Sequence, residues 1–112
     1  MHLSPLRYPG GKNRIANFIA QVCVDNSISG LYVEPYAGGA SVALFLLFSN
    51  VVKKIVINDK DRSIYAFWYS VLHHTDKLCQ MIIDTEINVE NWHKQKKVQS
   101  RKKYANLLEL GF

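Results

Sequence analysis

Apolar residues recur along this chain in two rhythms, and their alternation predicts its elements. Ile15, Phe18, Ile19 and Val22 fall at i, i+3, i+4 and i+7, one apolar stripe of a helix. Asp25 to Gly30 is turn chemistry. Leu31 to Val33 then reads as a short buried strand, followed at once by Glu-Pro-Tyr-Ala-Gly-Gly at 34–39. Ser41 to Phe48 is nearly all apolar, which predicts a helix covered on several sides, with Asn50 ending it. Lys54 to Ile57 is a second strand, ending in Asn58-Asp59-Lys60-Asp61. Asp61 reads as the N-cap of a third helix with Ile64, Phe67, Trp68, Val71 and Leu72 on one face. Beyond His74 the pattern is helical and basic, with no further strand. Thr75 and Asp76 are expected to cap a helix carrying Leu78, Met81 and Ile82. Trp92, Val98, Tyr104, Leu107 and Leu108 read as helix anchors, Trp92 as core rather than a DNA-facing ring.

The order helix, strand, helix, strand, helix predicts the opening of a doubly wound, Rossmann-like α/β sheet. Both strands are continuous apolar runs, as in parallel strands buried on both faces. Two strands are few, since about three with cover are normally needed for a stable sheet. Leu107, Leu108, Leu110 and Phe112 form an apolar cluster with nothing after it to bury it. The expectation is therefore a chain that stops inside a larger fold. Its open sheet edges would invite self-association.

Composition narrows the class. With 112 residues, 48% hydrophobic and 21% charged, the chain suits one globular domain. No apolar run approaches the roughly 20 residues of a membrane span, and Met1-His-Leu-Ser-Pro5 is no signal-peptide core. A cytoplasmic setting is expected, with Cys23 and Cys79 as buried free thiols. His73 and His74 are adjacent, so they point to different faces of a helix and no metal pair is expected. The net charge is +5. Six cations fall in one late stretch: Lys94, Lys96, Lys97, Arg101, Lys102 and Lys103. They form either a solvated helix face or a surface for DNA phosphates.

Three pieces carry candidate chemistry. The turn Glu34 to Gly39 sits where the first strand passes into a helix, and Gly38 and Gly39 let backbone approach a ligand. Asp59 ends the second strand, 59 − 39 = 20 residues beyond Gly39. That spacing suits a carboxylate accepting hydrogen bonds from a ribose diol. The Tyr8-Pro-Gly-Gly-Lys12 loop precedes the fold and is placed to close over the same crevice. A GxGxxG fingerprint is absent, as is a P-loop. Glu34 would repel a pyrophosphate and welcome the ammonium of a methionine moiety. The residues favour S-adenosylmethionine over NAD.

Tyr-Pro-Gly-Gly-Lys, then Val-Glu-Pro-Tyr-Ala-Gly-Gly-Ala-Ser-Val, then Ile-Asn-Asp-Lys-Asp closely resemble the Dam-like family of adenine-specific DNA methyltransferases, over about residues 5–75. The resemblance implies transfer of a methyl group from S-adenosylmethionine to the exocyclic amine of adenine in double-stranded DNA. It places Tyr8, Gly11 and Lys12 in the cofactor site, with tyrosine where the family commonly has tryptophan. It maps Glu34, Pro35, Tyr36, Ala37, Gly38 and Gly39 to the cofactor loop and Asp59 to the ribose-binding carboxylate. Residues 1–74 would then be the cofactor-binding part of the methyltransferase core. Residues 75–112 would begin a helical, basic target-recognition region. The family's catalytic Asp-Pro-Pro-Tyr motif does not occur in these 112 residues, so no catalytic residue is assigned and the chain alone is expected to be inactive.

Overall fold

A computed structural model of the chain describes residues 4–6 and 13–112. Tyr8, Gly11 and Lys12 therefore lie outside the described residues. The chain divides into two compact units, residues 1–59 and 60–112.

In the first unit a 3-10 turn, Asn13–Ile15, leads into α1 (Ala16–Asp25). β1 (Leu31–Glu34), α2 (Ser41–Phe48) and β2 (Lys54–Ile57) follow. The strands pair in parallel, Leu31 opposite Lys54 and Glu34 opposite Ile57. Asn50 ends α2 as expected, in the left-handed conformation (φ 58°) that asparagine tolerates. Ala16, Cys23, Val42, Leu46 and Val52 form the buried core, with Ile19, Ala20, Tyr32 and Ile55 packed against it.

The stripe expected on α1 is corrected. Phe18 is 67% exposed, and Ile15 and Val22 are also exposed. The inward face is Ala16, Ile19, Ala20 and Cys23, again at i, i+3, i+4 and i+7 but shifted by one residue. Periodicity gives the period of a face, while its phase follows from what it packs against; here mostly small residues meet the core side chains of α2. The strands also differ from expectation. Tyr32 and Ile55 face the core, whereas Leu31, Val33 and Val56 stand exposed on the other face. The sheet is thus covered on one side among the described residues.

The second unit is helical: α3 (Arg62–His73), α4 (Thr75–Asp84), α5 (Val89–Ser100) and α6 (Leu107–Gly111). Asp61 caps α3 as expected, its Oδ1 accepting from the Ser63 amide at 2.8 Å. That amide bond chiefly holds the Asp61 carboxyl below its usual range. The buried residues of α3 are Ala66, Trp68 and Ser70, while Leu72 is exposed, contrary to expectation. The cause is α6, which packs on the small residues of α3. A Cβ built on Gly111 would lie 2.5 Å from the Ala66 carbonyl oxygen and 2.7 Å from Ser70 Oγ. Ser70 Oγ in turn donates to the Leu107 carbonyl at 3.0 Å. Leu110 is buried in this contact, so the late apolar cluster expected to lack cover is partly covered by α3.

Other expectations in this unit are corrected too. Thr75 does not cap α4; its hydroxyl donates back to the Val71 carbonyl of α3. Leu78 is buried, but Ile82 is exposed. Cys79, expected buried, is exposed one position past Leu78, whereas Cys23 is buried. Trp92, expected in the core, is 57% exposed, because α5 is polar on all sides and buries none of its residues. Tyr104 is 90% exposed in the turn that follows. The backbone of that turn is held by Arg62, whose Nε donates to the Lys102 carbonyl at 2.6 Å and whose Nη2 donates to the Ala105 carbonyl at 3.2 Å. No helix among the described residues is long and apolar enough to cross a membrane.

Gly111→Ala is expected to destabilise the helical unit by about 1–3 kcal/mol, since backbone of α3 must move to admit one methyl group. Urea unfolding followed by circular dichroism measures this, and an unchanged midpoint would refute the close α3–α6 approach.

Candidate functional site

Parallel pairing sends both strands out of the sheet at the same end. Pro35 has no amide hydrogen to continue the β1 ladder, and the chain turns there. The turn is then fastened to the end of β2. The Asn58 amide donates to the Glu34 carbonyl at 3.0 Å, and the Ala37 amide donates to the Asn58 carbonyl at 2.8 Å. Asn58 Nδ2 reaches the Pro35 carbonyl at 3.4 Å. Finally, the Gly38 amide donates to Asp59 Oδ2 at 2.9 Å. The carboxylate and the glycine turn, 21 residues apart, are therefore in direct contact.

Two residues of the turn adopt left-handed backbone. Gly38, at φ 51°, does so without a Cβ penalty. Ala40, at φ 54°, carries that penalty and is buried at the start of α2. Gly39 lies beneath the early segment: a Cβ there would meet Ser4 Oγ at 2.8 Å and the Leu6 carbonyl oxygen at 3.2 Å. Ser4 shapes that segment locally, its Oγ accepting from the Leu6 amide at 3.1 Å. Residues 4–6 thus rest on the glycine turn.

Glu34 is only 6% exposed. The Tyr32 hydroxyl donates to its Oε1 at 3.3 Å. Burial, and then the nearby Glu34 carboxylate, push the Tyr32 phenol up to about 12. Tyr36, by contrast, projects into solvent. The site is a turn of small residues flanked by two carboxylates, with the first amides of α2 close behind. Such a surface suits a ligand that carries hydroxyls and positive charge, and disfavours a polyphosphate.

Residues 8–109 match the family described as D12 class N6 adenine-specific DNA methyltransferase. The chain belongs to that family. No curated protein and no solved structure matches it significantly. Membership makes adenine-specific DNA methylation the activity of the family to which these residues belong, and DNA the family's substrate.

Within this D12-class chain the structure brings together Glu34, Pro35, Ala37, Gly38, Gly39 and Asp59, with Tyr36 at the rim. The six late cations all belong to the helical unit and are exposed. Among the described residues three have side-chain partners: Lys94 pairs with Glu90 at 3.7 Å, Lys102 with Asp61 at 3.5 Å, and Lys96 Nζ lies 4.6 Å from the centroid of the Trp92 ring. Tyr32, Asn58 and Ser4 were not singled out by sequence. A signal existed for Tyr32, which shares one strand face with Glu34 at i, i+2. For Ser4 there was none, since its contact with Gly39 is tertiary.

Tyr32→Phe is expected to cost about 1–3 kcal/mol at neutral pH through loss of the bond to a buried carboxylate. The folded phenol titrates higher than the unfolded one. Its contribution is therefore complete below pH 10 and is lost as pH rises towards 12. Stability measured from pH 8 to pH 12 should fall more steeply in the wild type than in the variant. Parallel curves would exclude this role for Tyr32.

Proposed function

We propose that residues 1–74 form the S-adenosylmethionine-binding part of a DNA adenine methyltransferase and that residues 75–112 begin its target-recognition region. The observation that supports this most directly is the contact between Asp59 and the Gly38 amide, which sets a carboxylate against a glycine turn at one end of parallel strands. The residues present fit the cofactor. Asp59 suits the ribose hydroxyls, and the Gly38–Gly39 backbone allows close approach. Glu34 and the Glu34–Gly39 turn face the cationic methionine end, with Tyr8, Gly11 and Lys12 contributing from the preceding loop. When bound, S-adenosylmethionine supplies an electrophilic methyl group. The chain's own residues bind and orient it, and Tyr32 keeps the Glu34 carboxylate in place.

Double-stranded DNA is the proposed partner. Lys96, Lys97, Arg101 and Lys103 are the best placed of the late cations for phosphate contact, because Lys94 and Lys102 have acidic partners, whereas the Trp92 ring beside Lys96 leaves its charge unneutralised. The exposed Leu31, Val33 and Val56 and the open edges of the sheet are the surface through which copies would self-associate.

Asp59→Ala should weaken S-adenosylmethionine binding about 10- to 150-fold, the equivalent of about 1.5–3 kcal/mol for charge-assisted hydrogen bonds. Calorimetric titration measures this, and unchanged affinity with intact circular dichroism would refute the cofactor assignment.

Residues 1–112 should not methylate DNA by themselves. The adenine amine is a poor nucleophile, since its lone pair is delocalised into the ring, and it needs acceptors that stabilise developing charge. Such acceptors belong to an Asp-Pro-Pro-Tyr motif that these residues lack, while Glu34 and Asp59 serve the cofactor. Tritium transfer to unmethylated duplex by this chain, at rates typical of an intact methyltransferase, would overturn both points.

A further inference from the structure

One groove in the helical unit belongs to none of the residues assigned above to the cofactor. It has a volume of about 370 Å³ and is lined by apolar Val98, Leu110 and Phe112 as well as by Trp92, Gln95, Lys96, Gln99 and Glu109. Its chemistry is mixed in a particular way. Trp92 offers an aromatic surface with more than half of the residue open to solvent. Lys96 stands over the ring with its charge 4.6 Å from the centroid. Gln95 and Gln99, one turn apart on α5, present amides that both donate and accept. Glu109 adds a pure acceptor at the start of α6.

An apolar peptide would cover Val98, Leu110 and Phe112 but leave these polar groups without partners, and a phosphate alone would leave both the indole and the apolar residues unused. A flat heteroaromatic ring with a polar edge, attached to an anion, uses all of them. We propose that this groove takes a single unpaired nucleobase of a DNA strand. The base stacks on Trp92 and presents its edge to Gln95, Gln99 and Glu109, while Lys96 meets the adjoining phosphate. Two properties of α5 agree with this occupant. It buries none of its own residues, so its ordering is not explained by a core. Residues 89–103 also carry six cations against one carboxylate, Glu90, which is complementary to a sugar–phosphate backbone. The acceptors favour a base with an exocyclic amine, adenine or cytosine, over thymine.

The choice of ligand rests on the DNA-methyltransferase reading, but the groove's residues are distinct from the cofactor's. The test uses the 112-residue chain and fluorescein-labelled duplexes at low salt, read by anisotropy. One duplex is fully paired, and the others carry one bulged adenine, one bulged thymine or one bulged abasic sugar. The bulged adenine should bind about 5- to 100-fold tighter than the paired duplex, the range expected for one base–aromatic stack. The abasic bulge should bind like the paired duplex, with thymine in between. Trp92→Ala should erase the preference and Trp92→Phe should retain most of it, with circular dichroism confirming helicity in both. Asp59→Ala should leave it unchanged. Equal binding of all four duplexes, or an abasic bulge as good as adenine, overturns the base site while leaving DNA binding in place. A thymine bulge equal to adenine overturns the assigned acceptor role. Binding of none of the duplexes overturns the base site and the DNA reading together.

Discussion

The hydrogen bond from the Gly38 amide to the Asp59 carboxylate depends on almost everything else in the first unit. It forms only if β1 and β2 pair in parallel and in one register, because a one-residue slip would carry Asp59 to the other face of the sheet. It also needs a residue at 38 that accepts left-handed backbone, and a turn at Pro35 that brings that amide round. The bonds of Asn58 to the Glu34 and Pro35 carbonyls hold the turn on the strand end. A carboxylate held by a backbone amide in this way is partly oriented before a ligand arrives, so less freedom remains to be lost on binding.

Much of this was legible in the sequence, for identifiable reasons. The strand and helix order followed from apolar runs broken by turn residues, and spacing singled out Asp59 and the glycines together, though not the hydrogen bond between them. Asp61 was recognisable as a cap because capping is local chemistry. What could not be read was the direction in which faces point. The apolar positions of α1 and α3 were identified, but Phe18 and Leu72 face solvent while Ala16, Ala66 and Ser70 are buried. In each case small residues take much of the interior, beside Ile19 in α1 and Trp68 in α3, because they let helices approach closely. Trp92 and Tyr104 illustrate the same limit from the other side, since a large ring has no pull to the interior when it stands on a helix that buries nothing or in the turn that follows it. Tyr32 and Ser4 matter through contacts that a linear pattern does not encode.

The helical unit relies on a different device. Arg62 ties the turn after α5 to the start of α3 through two carbonyls, and Lys102 reaches Asp61 beside it. The exposed pair contributes little by itself. The guanidinium bonds to main-chain oxygens carry more geometric information, because a rigid fork fixes two acceptors at once. With Gly111 seated on Ala66 and Ser70, both ends of residues 101–111 are fastened to α3, and α5 is left as a polar helix presented outward.

The parallel pairing of β1 with β2 also sets an order of assembly. Leu31 and Lys54 are 54 − 31 = 23 residues apart, so their contact requires closure of a sizeable loop before any ladder bond rewards it. The helical unit carries a similar demand, since its main packing joins α3 to the distant α6. During synthesis, β1 must wait for α2 and β2 to emerge, and Leu31 and Val33 stay unpaired in that interval. The fold thus presents an apolar strand early and pairs its backbone only late.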